Sequence, residues 1–203
     1  MPDFGFFTRF GLFAVKGFFD AELSARFRCE MLSSKLSAAT LVEGYTSVER
    51  VKVNTRKTMN AEVPAATAEF VRERLRALKP KLEEHFELPL YDCEKPQFLL
   101  YQEGDYFLPH RDGEDNPGKP EYIKKRQVSI IIFLNQDSKE PAPDRYCGGA
   151  LTLYGLVDDP RWEKYGFQLS GETGLLVAFR SDLLHEVTAV THGTRLSIVS
   201  WFF

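Results

Sequence analysis

Short runs of apolar residues, separated by turn-forming residues, dominate the chain from residue 97 onward. Each run has the length of a strand and is rich in β-branched and aromatic residues, which is typical of strands. The run from Val128 to Leu134 is apolar on both faces and predicts a strand that is covered on both sides. The other runs that predict strands are QFLLYQ, YFLPHRD, GALTLYG, GLLVAF and LSIVSWFF.

The first half of the chain shows helical periodicity instead. After a short strand predicted at residues 11–15, Asp20 is placed as an N-cap and an amphipathic helix is predicted over 20–36. A second helix is predicted from Pro64 to about Phe86, with Pro80 expected to kink or restart it. Residues 40–60 mix polar and β-forming residues, which predicts a hairpin or a mobile flap. The apolar residues at helical spacing are Leu23, Phe27 and Met31 in the first helix and Phe70, Val71, Leu75 and Leu78 in the second.

Helices followed by many short strands predict a mainly β fold with flanking helices, of the α+β type. We expect a jelly roll or double-layered β-barrel with the N-terminal helices packed on one sheet. The 203 residues suit one domain, and no repeat or Ser/Gly linker divides them. We therefore predict a single domain over 1–203, with helical support over about 1–95 and the barrel over about 97–203.

Composition and charge narrow the possible functions without choosing one. Hydrophobic residues make up 43% of the chain and charged residues 27%, and the formal net charge is −3 with no long basic run. Nucleic-acid and membrane-surface binders normally carry an excess of Lys and Arg, so we expect neither partner. The three cysteines form no CxxC pair, and charged residues interrupt the Phe-rich N-terminus, which argues against a signal peptide. We expect a cytoplasmic protein.

His110, Asp112 and His185 form the candidate metal site. His110 and Asp112 lie two positions apart in YFLPHRDGE, so on a strand both side chains point to one face. An HxD pattern alone is weak evidence, because a surface hydrogen-bonding pair has the same spacing. His185 follows the apolar run 174–180 and completes a set of two histidines and a carboxylate, which suits non-haem Fe(II) with open coordination positions. Zinc accepts the same ligands, so the triad alone does not choose the metal.

Arg195 and Ser197 favour iron. They are also two positions apart, at the start of the last predicted strand, and therefore share a face. A guanidinium beside a hydroxyl suits a carboxylate at the closed end of a barrel pocket. A metal that chelates a 2-oxo acid needs such an anchor for the distal carboxylate, so the set predicts 2-oxoglutarate as the co-substrate.

The segment from about 97 to 203 resembles the prolyl 4-hydroxylase-like branch of the 2-oxoglutarate/Fe(II) dioxygenases. The matching stretches are FLLYQEGDYFLPHRD, RQVSIIIFLN, YCGGALTLYG and GLLVAFRSDLLHEVTAVTHGTRLSIVSWF. The resemblance implies a double-stranded β-helix (jelly roll, cupin-like) and an enzyme that uses Fe(II), 2-oxoglutarate and O₂, with ascorbate as a further candidate cofactor. It places Tyr101 in the co-substrate pocket and makes Gly148 and Gly149 the glycine pair before the strand that crosses the barrel.

Two further positions bear on the chemistry that this resemblance implies. Asp112 is intact where related halogenases carry a small residue, which implies hydroxylation. Many relatives have a tyrosine in the central strand that helps to hold the distal carboxylate of 2-oxoglutarate, and Phe133 occupies that place. Ser197 is our candidate for the missing hydroxyl.

The substrate stays open between several classes. The first expectation is an amino-acid residue such as peptidyl proline, and the runner-up is a free amino acid or small metabolite under the same chemistry. A cupin-like metal-binding module without turnover and a nucleic-acid demethylase are the weaker alternatives. The loops expected to meet substrate are 43–60, 113–125 and 137–147, and we expect 43–60 to fold over the site as a lid.

Overall fold

The computed structural model of the chain describes residues 4–39, 41–42, 49–50, 55–114, 119–159, 161 and 164–203. Most of the segment predicted as a lid, 43–48 and 51–54, lies outside these described residues, as do residues 115–118 of the second predicted loop. The helices are α1 (Phe4–Arg9), α2 (Ala21–Ser33), α3 (Ala65–Phe86) and α4 (Glu121–Lys124).

The strands of the described chain alternate with short turns over its whole second half. In chain order they are β1 (Phe13–Val15), β2 (Leu36–Ala38), β3 (Leu41–Val42), β4 (Glu49–Arg50), β5 (Arg56–Lys57), β6 (Met59–Ala61), β7 (Gln97–Tyr101), β8 (Tyr106–His110), β9 (Val128–Phe133), β10 (Gln136–Asp137), β11 (Arg145–Gly148), β12 (Leu151–Leu153), β13 (Phe167–Leu169), β14 (Leu176–Arg180), β15 (His185–Val187), β16 (Val190–His192) and β17 (Arg195–Phe202).

Two antiparallel sheets form the body of the fold. The large sheet has the order β1-β14-β9-β17-β7-β6-β2, and the small sheet has the order β13-β12-β15-β8-β5. One apolar cluster fills the space between them, with Leu99 and Ile131 from the large sheet and Leu151 and Val187 from the small one. Two sheets with a shared interior and helices on one outer face are the predicted jelly roll, and the fold prediction is confirmed.

Helices α2 and α3 cover the outer face of the large sheet. The Asp20 carboxylate caps α2 by accepting the backbone N–H of Leu23 at 2.8 Å, as predicted. A second apolar cluster lies between these helices and the sheet, with Phe27 and Leu75 on the helices and Leu196 and Ile198 on β17. Both faces of the sheet are therefore buried, which explains why Val128–Phe133 is buried at every position.

One predicted helix end was wrong, and the structure refines two further predictions. The helix predicted over 20–36 ends at Ser33, because residues 36–38 pair with β6 and extend the large sheet. Pro80 does not restart α3, which is one continuous helix from Ala65 to Phe86 with Pro80 on its exposed side. Residues 40–60 were predicted as a hairpin or a mobile flap, and β3 and β4 within them do pair antiparallel. The end of this segment forms β5, at the edge of the small sheet, and most of β6, between β7 and β2 in the large sheet.

No helix of the described chain combines the length and the apolar character that a bilayer crossing needs.

Candidate active site

The structure brings His110, Asp112 and His185 together at one end of the space between the sheets. Strands β8 and β15 pair so that His110 lies directly opposite His185. Asp112 follows two residues after His110, just beyond the end of β8 and not on the strand as expected. One possible ligand atom from each of the three residues lies within 4.8 Å of the others, which is close enough for all three to hold one ion.

Both imidazole rings are oriented by the backbone. The Nδ1 atom of His110 lies 2.8 Å from the carbonyl oxygen of Leu108, and that of His185 lies 2.9 Å from the carbonyl oxygen of Leu183. A carbonyl only accepts hydrogen bonds, so in each neutral imidazole Nδ1 carries the proton and Nε2 presents its lone pair. The two Nε2 atoms lie 3.5 and 3.4 Å from the carboxylate oxygens of Asp112.

Two serines and a glycine hold Asp112. The Ser129 hydroxyl donates to the Asp112 carboxylate at 2.8 Å and lies 2.9 Å from the Ser181 hydroxyl. The Gly113 N–H donates to the Ser181 carbonyl at 2.9 Å, and a Cβ at Gly113 would overlap the Arg126 carbonyl. Only glycine therefore allows the turn that brings Asp112 back towards the histidines.

The charges in this cluster suit a cation. Burial alone would raise the pKa of the Asp112 carboxyl, but the two histidines outweigh it and hold that pKa well below its usual range. Burial, aided by repulsion from His185, lowers the pKa of His110 to about 4. Burial also disfavours a charge on His185, yet the attraction of Asp112 outweighs it and raises the pKa of that imidazole. At neutral pH, Asp112 is ionised and His110 is neutral, which are their metal-binding forms.

One side of the cluster faces solvent and the other faces aromatic rings. The side chain of His110 is 17% exposed and that of Asp112 is 12% exposed, whereas that of His185 is only 4% exposed. Phe107 stacks on the His110 ring at a centroid distance of 3.4 Å, and Phe179 meets the His185 ring edge-on at 4.8 Å. A ligand can therefore approach from the side of His110, while apolar rings exclude water behind the cluster.

Arg195 lies in the same space between the sheets and is 1% exposed. One guanidinium nitrogen donates to the Ser197 hydroxyl at 2.8 Å, so the two residues share a face as predicted. The guanidinium carbon lies 5.1 Å from the ring centroid of Tyr101 and 5.1 Å from that of Phe133. Among the described residues, no carboxylate pairs with Arg195, and its Nε has no hydrogen-bond partner. Such a buried charge is costly unless an anion pairs with it.

Sequence reasoning missed four polar residues of this interior. Ser129 and Ser181 hold Asp112, and a serine within the otherwise apolar run VSIIIF was a visible signal of a buried hydrogen bond. The third is Tyr146, which lies beside Arg195, and the fourth is Arg56.

Arg56, from β5, is 7% exposed and adds a second guanidinium near the triad. Its guanidinium carbon lies 4.7 Å from the centroid of Phe107. Burial lowers its pKa, while Tyr101 and Asp112 act in the opposite direction, which places the guanidinium near both side chains. Nothing in the sequence around Arg56 distinguished it from its neighbours Arg50, Lys52 and Lys57.

Comparisons with known proteins agree with this geometry. The family model described as 2OG-Fe(II) oxygenase superfamily matches residues 96–203, more than half of the chain. A PKHD-type hydroxylase from Shewanella sp. strain ANA-3 is 29% identical over 176 residues, covering 84% of this chain and 70% of that protein. The chain belongs to the 2OG-Fe(II) oxygenase superfamily.

Solved structures of prolyl hydroxylases share the fold. A Pseudomonas putida prolyl-4-hydroxylase superposes with a TM-score of 0.65 at 22% identity, covering 99% of both chains. A Trichoplax adhaerens prolyl hydroxylase, in complex with a peptide fragment of the hypoxia inducible factor oxygen degradation domain, gives 0.67 at 20% identity, covering 95% of this chain and 83% of that one.

The predicted 2-oxoglutarate/Fe(II) oxygenase family and enzyme class are therefore confirmed, and the fold is the one found in prolyl 4-hydroxylases. As a member of that superfamily the protein is an oxygenase that uses Fe(II), 2-oxoglutarate and O₂. A cupin-like module without turnover is not favoured by these findings.

Proposed function

We propose that His110, Asp112 and His185 are the Fe(II) ligands. The two Nε2 atoms and the ionised carboxylate face one another, and the hydrogen bonds to Nδ1 and from Ser129 fix their directions. Two nitrogens and one carboxylate leave coordination positions for a bidentate co-substrate and a gas molecule. The residues present thus fit the metal that the family uses.

We also propose that Arg195, Ser197 and Tyr101 hold 2-oxoglutarate. The observation that carries this proposal is the Arg195 guanidinium, which is buried and has no carboxylate partner among the described residues. The distal carboxylate of 2-oxoglutarate would neutralise it and fill the space between the Tyr101 and Phe133 rings. Ser197 accepts a hydrogen bond from Arg195 and aligns the guanidinium, while its own hydrogen is left to donate to the same carboxylate.

The proposed placement of the ligands gives the bound iron and the protein side chains different tasks. Iron and 2-oxoglutarate together supply the oxidation, in which O₂ and an R–H substrate give R–OH, succinate and CO₂. The side chains orient the ligands, and the Phe107 and Phe179 rings keep water from the closed side. The open side at His110 is where a substrate C–H bond would approach.

The proposed substrate is an amino-acid residue, with peptidyl proline first. The relatives that match are named hydroxylases, and the two solved structures are prolyl hydroxylases, one of them with a bound peptide. His110 lies at the end of β8 with its side chain partly exposed, which suits a peptide that lies across the mouth. A free amino acid or small metabolite is the alternative, and the experiment below separates the two.

Three further points belong to the same proposal. The chain works as one catalytic unit, because β2 and β6 from the N-terminal half complete the large sheet. Ascorbate keeps the iron reduced between turnovers. Cys29, Cys93 and Cys147 are free thiols, which supports the reducing cytoplasm as the compartment.

The test is succinate formation from 2-oxoglutarate with Fe(II), screened over proline-containing peptides, other peptides and free amino acids. We expect coupled turnover with a peptide, and at least a hundredfold loss in His110→Ala because a ligand is removed. His192→Ala is the matched control, since that histidine is half exposed and pairs with Glu103 on the surface. Equal rates in wild type and His110→Ala would contradict the metal assignment, and turnover of free amino acids alone would contradict the peptide substrate.

A further inference from the structure

Tyr146 is a buried tyrosine whose hydroxyl has no hydrogen-bond partner among the described residues. It lies on β11 and is 1% exposed. Buried hydroxyl groups almost always have a partner, because an unpaired one loses its hydrogen bonds to water and gains nothing in return. Arg195, the charged side chain beside it, can only donate hydrogen bonds, so the Tyr146 O–H has no acceptor that the described residues supply.

Glycines on two sides make room for this side chain. A Cβ at Gly171 would overlap the Tyr146 hydroxyl and would lie 3.0 Å from the Phe133 ring. A Cβ at Gly149, whose φ is +58°, would lie 3.4 Å from the Tyr146 ring and 3.1 Å from the Cδ atom of Arg195. The Tyr146 hydroxyl and the Phe133 ring thus both border Gly171, and the Tyr146 ring and the Arg195 side chain both border Gly149.

Two buried polar groups at this place lack partners at once. The Nε atom of Arg195 also has no hydrogen-bond partner among the described residues. Burial raises the pKa of Tyr146, although the Arg195 cation opposes the rise, so the phenol stays protonated at neutral pH and can donate. An N–H and an O–H beside one unpaired cation are the donor set that a carboxylate accepts.

The side chain of Phe133 explains why a hydroxyl from another strand would be needed at this place. The ring lies beside the Arg195 guanidinium at 5.1 Å but has no hydroxyl to offer an anion there. We propose that the Tyr146 hydroxyl, arriving from β11, donates to the distal carboxylate of 2-oxoglutarate in place of the hydroxyl that Phe133 lacks. The inference rests on the proposed function of Arg195 as the anchor of that carboxylate.

The experiment compares two ligands of equal chain length. 2-Oxoglutarate has the distal carboxylate, and 2-oxopentanoate has a methyl group in its place. Binding of each to the Mn(II)-loaded protein is measured by calorimetry without O₂, so that no turnover occurs. Tyr146→Phe should weaken 2-oxoglutarate binding about tenfold, the usual effect of one hydrogen bond to a charged group, and change 2-oxopentanoate binding less than twofold.

The controls separate the possible failures. Tyr91→Phe removes the same atom from an exposed ring and should leave both affinities unchanged. An unchanged unfolding midpoint shows that Tyr146→Phe is folded. If the wild type shows no preference for 2-oxoglutarate over 2-oxopentanoate, the Arg195 anchor fails and the proposed function with it. If the wild type shows that preference and Tyr146→Phe keeps it in full, only the role of Tyr146 is overturned.

Discussion

The two faces of strand β17 differ in what they bury. Towards the helices, Leu196 and Ile198 join an apolar cluster with the side chains of α2 and α3. Towards the small sheet, Arg195 and Ser197 are equally buried, yet they are polar, and the Arg195 Nε has no partner among the described residues. Neighbouring residues of one strand thus lie in an apolar layer on one face and in the proposed 2-oxoglutarate site on the other.

This difference separates stability from binding along a single strand. Burial of apolar area against the helices contributes free energy of folding whether or not a ligand is present. Burial of an unpaired guanidinium costs free energy until an anion arrives. Apolar burial on the helix-facing side therefore has to offset the free energy that the buried guanidinium costs. Substitutions at the neighbouring residues Arg195 and Leu196 should accordingly have opposite consequences for stability and for binding.

The largest expected effect is at Arg195. Arg195→Met keeps much of the volume but removes the charge, so 2-oxoglutarate affinity should fall about a hundredfold or more, as expected for a buried charge-assisted pair. In the absence of ligand, the free energy of unfolding should stay the same or rise, because an unpaired buried charge has been removed. Calorimetry and urea unfolding measure the two quantities. If Arg195→Met unfolds more easily than wild type and still binds 2-oxoglutarate, Arg195 contributes to stability and not to binding, contrary to the prediction.

The next effect is at Leu196, one residue further on. Leu196→Ala leaves a cavity under the helices and should lower the free energy of unfolding by about 3 kcal/mol. Its affinity for 2-oxoglutarate should change less than twofold at a temperature at which the variant is folded. Urea unfolding with and without ligand checks both numbers. A loss of affinity comparable to that of Arg195→Met would show that the two faces are not independent.

The smallest expected effect on stability is at Asp92, which pairs with arginines of α3 at the edge of the helical layer. Hydrogen bonds from Arg76, with Arg72 nearby, hold the pKa of the Asp92 carboxyl well below its usual range. The carboxylate is 24% exposed, so screening by solvent limits its contribution, and Asp92→Asn should cost about 1 kcal/mol at pH 7.

The effect of pH on the stability difference between wild type and Asp92→Asn shows whether the ionised carboxylate stabilises the fold. A lowered folded pKa adds stability above the unfolded pKa of about 3.9, and that stability is lost as the pH falls further, towards the folded value. The difference between wild type and Asp92→Asn should hold from pH 7 to about 5 and shrink below about 4. Urea unfolding across that range measures it, and a constant difference would mean that ionisation of Asp92 contributes nothing.

The sequence predicted what depends on local periodicity. The two-residue spacing of Arg195 and Ser197 placed both on one face, and the Asp20 cap and apolar spacing located α2. The triad was predicted because its residue types are restrictive and their order along the chain is informative. These features depend on neighbours within a few positions, which is where a sequence pattern carries information.

What the sequence did not predict depends on contacts between distant segments. Residues 36–38 left the predicted helix because β6 offered a strand edge, which no local signal describes. Ser129 reaches Asp112 from another sheet, and Tyr146 reaches Arg195 from a strand 49 positions away. Such contacts follow from the three-dimensional packing of the two sheets, so a propensity argument misses them.

The hydrogen bonds from the two imidazoles to the Leu108 and Leu183 carbonyls have an evolutionary consequence. Carbonyl oxygens belong to the main chain, so no substitution at either position can delete the acceptor that orients a ring. Leu108 is 44% exposed on the strand that carries His110. Side chains at these two positions can therefore change while both histidines keep the directions that bring their Nε2 atoms towards Asp112.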